Sequence, residues 1–187
     1  MDPKRDPQRL SLASYPASHS VTARYGDLHL NRQLDNVALA SYYEDARLAI
    51  HLALFGDEPA TTRPFTLSVA RTAIDFLHGA TFPGTYTLGG GVGRVGRTSF
   101  THVSGLFRDG VCLGLSDTVM VHLVDEAPTV IPPRLRTLLD TISFPARPGS
   151  AAPRAAEGER DAAGERTIGD DRTAQLPGEA AAGHPSP

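Results

Sequence analysis

The chain has 187 residues, 40% of them hydrophobic, with a formal net charge of −3 and a single cysteine, Cys112. That length favours one sizeable core over two, the charge gives no electrostatic case for nucleic acid, and one cysteine cannot build a disulfide or cysteine-based metal site within the chain. The opening MDPKRDPQRL lacks the apolar segment of a secretory leader and no apolar run is long enough to span a membrane, so a soluble cytoplasmic protein is expected.

Residues 1–15 carry Pro3 and Pro7 among charges and read as a loosely held arm. Ser20 to Asp27 has β character and is expected as the first strand, ending at Asp27 to His29. From there RYGDLHLNRQLDN leads into VALASYYEDARLAIHLAL. Leu39, Tyr43, Ala46, Ile50 and Ala53 fall at helical spacings of three and four, with Glu44, Arg47 and His51 on another face. Asp35 or Asn36 is placed to cap the first turn and Gly56 to end the helix. The positive end of this helix points at whatever Asp27, His29 and Asp35 surround, and offers unpaired N–H groups to a carbonyl or an anion.

Gly56 to Pro64 reads as a loop. Phe65, Leu67 and Val69 alternate as in a strand, and the phase then switches to Ile74 and Phe76, as a β-bulge near Arg71 would produce. Tyr86, Leu88, a glycine run and Thr98 to Phe107 read as two strands or one long bent one. Asp109-Gly110 is a tight-hairpin pair. Val111 to Val124 returns with Leu113, Leu115, Val119, Val121 and Leu123 on one face, interrupted by Asp117, for which Arg71 or Arg94 is the expected partner. Pro132 to Ile142 has helical spacing with Pro133 in the first turn. Beyond Phe144 the composition is Ala, Gly, Pro and charge, so residues 145–187 are expected to be a disordered tail. The order predicts one α+β domain over 16–144, an antiparallel sheet wrapped around one long central helix.

Gly91-Val-Gly-Arg-Val-Gly96 has the letters of a dinucleotide fingerprint, but a strand rather than a helix follows it, which favours a bent or bulged strand. The histidines show no metal-ligand spacing. Asp27, His29, Asp35, Glu44 and Asp45 gather near the start of the helix. Each has an ordinary structural reading: Asp35 as cap, Glu44 paired with Arg47, His29 in a hydrogen bond. Their clustering is the argument for a site.

The central stretch resembles the hotdog-fold acyl-CoA thioesterases of the 4-hydroxybenzoyl-CoA thioesterase type, whose motif runs approximately R-Y-x-D-x-D-x-x-G-H-x-N-N before a helix containing Y-x-E-x-A-R. Arg24, Tyr25, Asp27, Asn36, Tyr42, Glu44, Ala46 and Arg47 fit it. The likeness continues through Ile74-Asp-Phe-Leu77, Gly84 and Val95-Gly-Arg-Thr-Ser99, covering roughly residues 21–139. It implies that a backbone N–H at or near Asn36 polarises a thioester carbonyl while a carboxylate attacks or activates water. That carboxylate's place falls on His29. Arg32 stands for the motif's glycine, Gln33 for its histidine and Asp35 for its first asparagine.

Three outcomes follow: His29 acts as general base, or Asp27, Asp35 or Glu44 takes over, or the site binds acyl thioesters without hydrolysing them. A hydratase or dehydratase on the same fold is a further alternative. The resemblance also implies a homodimer or homotetramer, a coenzyme A or acyl-carrier-protein thioester as ligand, no resident cofactor or metal, and Arg94 and Arg97 as partners for coenzyme A phosphates.

Overall fold

The computed structural model describes residues 6–29, 31–56 and 66–145. The expected tail beyond Pro145 and the loop at 57–65 lie outside the described residues, as do the first five positions. The strands are β1 (Ala17–Thr22), β2 (Thr66–Phe76), β3 (Thr85–Val95), β4 (Ser99–Arg108), β5 (Val111–Val124) and the two-residue β6 (Ala127–Pro128), with helices α1 (Asn36–Phe55) and α2 (Pro133–Thr141). The antiparallel sheet runs β1-β3-β4-β5-β2, with β6 on β5. α1 packs over β1, β3 and β4. No helix among the described residues is long and apolar enough to cross a membrane.

Turn chemistry sets the frame. Asp109 and Gly110 both take positive φ, 51° and 78°, closing the β4–β5 hairpin as the sequence pair predicts. The bulge expected near Arg71 lies between Val69 and Arg71. The glycine fingerprint is a strand with a register shift between Val92 and Val95. The glycines just before it serve packing: a Cβ on Gly90 would lie 2.5 Å from Ile50 Cδ1 of α1, and one on Gly89 would lie 2.6 Å from the Tyr15 ring. Glycine lets α1 and the N-terminal segment both press on β3.

Three apolar clusters result. Leu39, Tyr42, Tyr43 and Ala46 of α1 meet Tyr86, Leu88, Leu106 and Leu113. Leu135 and Leu139 of α2 meet Val92, Phe100 and Met120, with Leu54 and Phe55 at their edge. On the sheet's other face Tyr15, Val103, Phe107, Cys112, Leu115 and Phe144 pack together.

Several expectations need correction. β1 starts and ends earlier than predicted, because Tyr25–Asp27 forms a 3-10 turn. Ala53 is exposed, whereas Arg47 and His51 on the supposed polar face are buried. In the second half of β5 the buried residues are Thr118, Met120 and His122, and Val119, Val121 and Leu123 are the half-exposed ones. Residues 6–15 are not a loose arm. Arg9 is buried, its guanidinium bonding the Ser104 and Ser116 carbonyls and the Tyr15 hydroxyl, and it pairs with Asp117 at 2.8 Å in place of Arg71 or Arg94. Arg9→Met removes the partner of a half-buried carboxylate and should lower stability by about 1–3 kcal/mol in urea unfolding, with Asp117→Asn in the Arg9→Met background restoring part of it.

Candidate active site

The site begins with Asp27. The Tyr25–Asp27 turn tips its carboxylate inward, where it accepts from the Arg24 N–H at 2.8 Å and from the Tyr42 hydroxyl of α1 at 2.5 Å. Burial raises its pKa, but the Tyr42 and Arg24 hydrogen bonds and the Arg24 charge outweigh that and leave it lowered overall. Burial and the same bond raise that of Tyr42. Asp27 is therefore an anchor, tying the loop before α1 to the second turn of α1. Its carbonyl also accepts from the Asp35 N–H at 2.8 Å.

Between those anchors the chain makes a tight turn. The His29 N–H donates to the Gln33 carbonyl at 2.8 Å, the Arg32 N–H to the His29 carbonyl at 3.0 Å, and the Gln33 N–H to the Asn31 side chain at 3.1 Å. Arg32 sits at φ 64°, in the left-handed region, which costs a non-glycine residue about 1–2 kcal/mol. The Leu34 N–H then donates to the Ala80 carbonyl at 2.8 Å, and Gln33 bridges to Thr81. Gly79 makes this approach possible, since a Cβ there would fall 2.8 Å from Gln33 Nε2.

Asp35 caps α1, its carboxylate accepting from the Val37 N–H at 2.7 Å. The Asn36 N–H, at the first helical position, has no acceptor within the helix. Asn36 lines a depression of about 260 Å³ with Gln33, Leu34, Leu39, Phe76, Leu77, His78, Gly79 and Ala80. On the other side of the 28–34 loop, a second depression of about 670 Å³ is lined by Tyr25, Gly26, Leu28, His29, Arg32 and Phe82.

The predicted residues are thus only partly brought together. Asn36 faces the smaller depression and His29 the larger. Glu44 lies exposed two residues after Tyr42, on the other side of the helix, and is paired with Arg47. Arg94 and Arg97 are exposed near the β3–β4 turn, at the end of the sheet where Val95 packs near Leu54 and Phe55, so they belong to the opposite end of α1. Sequence reasoning missed His78, an exposed imidazole in the same depression as Asn36. The one local signal was the adjacent Gly79, which acquires meaning only once Gln33 is seen against it.

No family model and no curated protein matches the chain. Solved structures do. The PA5185 protein of Pseudomonas aeruginosa matches with a TM-score of 0.65 at 20% identity, over 74% of this chain and 99% of that one. A thioesterase of Thermus thermophilus, crystallised with coenzyme A and zinc, matches with a TM-score of 0.62 at 21% identity, over 69% and 95%. A predicted thioesterase of Bacillus stearothermophilus gives 0.62 at 22%, over 71% and 98%. The chain has the hotdog fold.

In this hotdog domain the Asp27 anchor has a pH signature. A carboxylate whose pKa is lowered by folding stabilises the native state above its unfolded value, and that contribution is lost as pH falls through the lowered one. Asp27→Asn should therefore destabilise at pH 7 by about 1–2 kcal/mol, with the gap to the wild type closing below about pH 4. Chemical denaturation at pH 7 and pH 3 checks both halves. Tyr42→Phe should cost a similar amount at pH 7.

Proposed function

We propose that the protein hydrolyses an acyl thioester of coenzyme A or of a carrier protein. The observation that carries the reading is the N-terminal turn of α1, where Asn36, the first helical residue, lines a depression together with the residue His78 and an apolar wall of Leu39, Phe76 and Ala80. A thioester carbonyl seated there accepts from the helix N–H, and the helix dipole stabilises the oxyanion formed when water adds. The hotdog likeness to proteins described as thioesterases supports the same chemistry.

The base is an imidazole. Asp27 is held by Tyr42 and Arg24, Asp35 by the helix cap and Glu44 by Arg47, so none of the three presents a free carboxylate. His78 shares its depression with Asn36 and takes the role first; His29, across the loop, is the alternative. A neutral imidazole removes a proton from water as the hydroxide adds to the carbonyl carbon, then returns it to the departing thiolate. Free-thiol release from short, long and aromatic acyl-CoA is the measurement that tests it, and at least one of the three should be turned over. His78→Ala should lower kcat by about 10²–10⁴-fold. Loss confined to His29→Ala moves the base there, and no release from any substrate removes the hydrolase reading in favour of acyl-thioester binding alone.

The working unit in this reading is a homodimer. β2 is an edge of the sheet, with Val69 and Phe76 43% and 45% exposed, an edge that a second copy can extend. Two-fold antiparallel pairing of β2 edges would set the Arg94 and Arg97 end of one subunit beside the α1 N-terminus of the other, within reach of coenzyme A phosphates. Light scattering should give a dimer, and Val69→Asp, placing like charges across the two-fold, should shift it towards monomer.

A further inference from the structure

The larger depression beside the 28–34 loop has walls of a different chemistry. Tyr25, 79% exposed, stands edge-on to Phe82 with ring centroids 6.1 Å apart. Gly26, Leu28, His29 and Arg32 are the other described residues of the lining, and none of the described lining residues carries a carboxylate. Of the acids nearby in sequence, Asp27 is turned inward to Tyr42 and Asp35 is engaged as the cap of α1. Among the described residues Arg32 has no ion pair or side-chain hydrogen bond. Its backbone is also the outlier of the region: a left-handed arginine, held by the hydrogen bonds of the His29–Gln33 turn, where glycine would sit without strain. A strained backbone conformation that delivers an unpaired cation to an aromatic-walled depression argues for a ligand.

We infer that this depression binds a planar aromatic group carrying a negative charge, the ring against Tyr25 and Phe82 and the anion at Arg32 and His29. The inference rests on the thioester reading for the source of such a ligand, and two sources share the chemistry: the phosphorylated adenosine end of coenzyme A and an aryl carboxylate from the acyl side. Stacking on exposed aromatic rings tolerates either ring system, and a guanidinium fork suits phosphate and carboxylate alike.

Calorimetric titration of the full chain with adenosine 3′,5′-bisphosphate and, separately, with benzoate tests it. The wild type should bind at least one probe, and which one binds identifies the source. Arg32→Gly should weaken that binding about tenfold or more and Tyr25→Ala about fivefold or more. Because glycine suits a φ of 64°, Arg32→Gly should also raise the Tm by a few degrees, so weakened binding in it cannot be unfolding. The inference is overturned if neither probe binds the wild type, or if Arg32→Gly binds as tightly as the wild type. Neither outcome depends on thiol release, so failure of the hydrolase reading and failure of this one are separately visible.

Discussion

One buried carboxylate fixes the geometry on which the rest depends. Asp27 joins three pieces of chain: the Arg24 backbone before it, the Asp35 backbone that caps the helix, and Tyr42 on the helix itself. With both ends of the 28–34 segment held, its seven residues must turn back sharply, and the left-handed Arg32 is the residue that makes the turn. The side chains then divide between two sides of a thin loop, Gln33 and Asn36 towards Gly79 and His78, His29 and Arg32 towards Tyr25 and Phe82. A charge held by a hydroxyl and a backbone N–H in a buried setting is a stiff restraint. What looked like a titratable cluster is one anchor with two outward-facing consequences.

The helix, the bulge and the Asp109-Gly110 hairpin were legible because each rests on local chemistry: period, cap and turn residues. Residues whose environment comes from distant chain were not. Arg9 read as part of a charged arm because its acceptors, the Ser104 and Ser116 carbonyls, are about a hundred positions away. Val119, Val121 and Leu123 outscore Thr118 and His122 in hydropathy, yet the register pairs Thr118 with His102 and with Thr72, turning the polar series inward. At the helix start, local capping chemistry offered Asp35 or Asn36, and Asp35 is the cap. The motif said nothing of His78, which reaches the helix end only through the pairing of the 33–34 and 80–81 segments.

The inward polar series is itself a structural constraint. His102 is 1% exposed, and its ring lies 5.1 Å from that of His51, centroid to centroid. Burial, with His51 and Arg47 nearby, holds His102 well below the usual imidazole range, so it stays neutral in the folded chain. With Arg47, Ser104, Ser116 and Thr118 also buried, the surface between α1 and the middle of the sheet is polar where a typical core is apolar. That polarity explains why the pattern of α1 misled: its buried side carries Arg47 and His51 beside Leu39, Tyr43 and Ile50, while Val37, Ser41, Glu44, Asp45 and Leu48 form the exposed side.

Charge accounting around the helix start narrows the chemistry further. Each acid that the motif offers is engaged, Asp27 by a phenol and a backbone N–H, Asp35 by the first turn, Glu44 by a buried guanidinium. Freeing any of them to attack a carbonyl would break a restraint that shapes the site. His29 and His78 line the two depressions, and Arg32 shares that of His29. This end of the molecule therefore presents the Arg32 cation, the aromatic edges of Tyr25 and Phe82 and a positive helix end together.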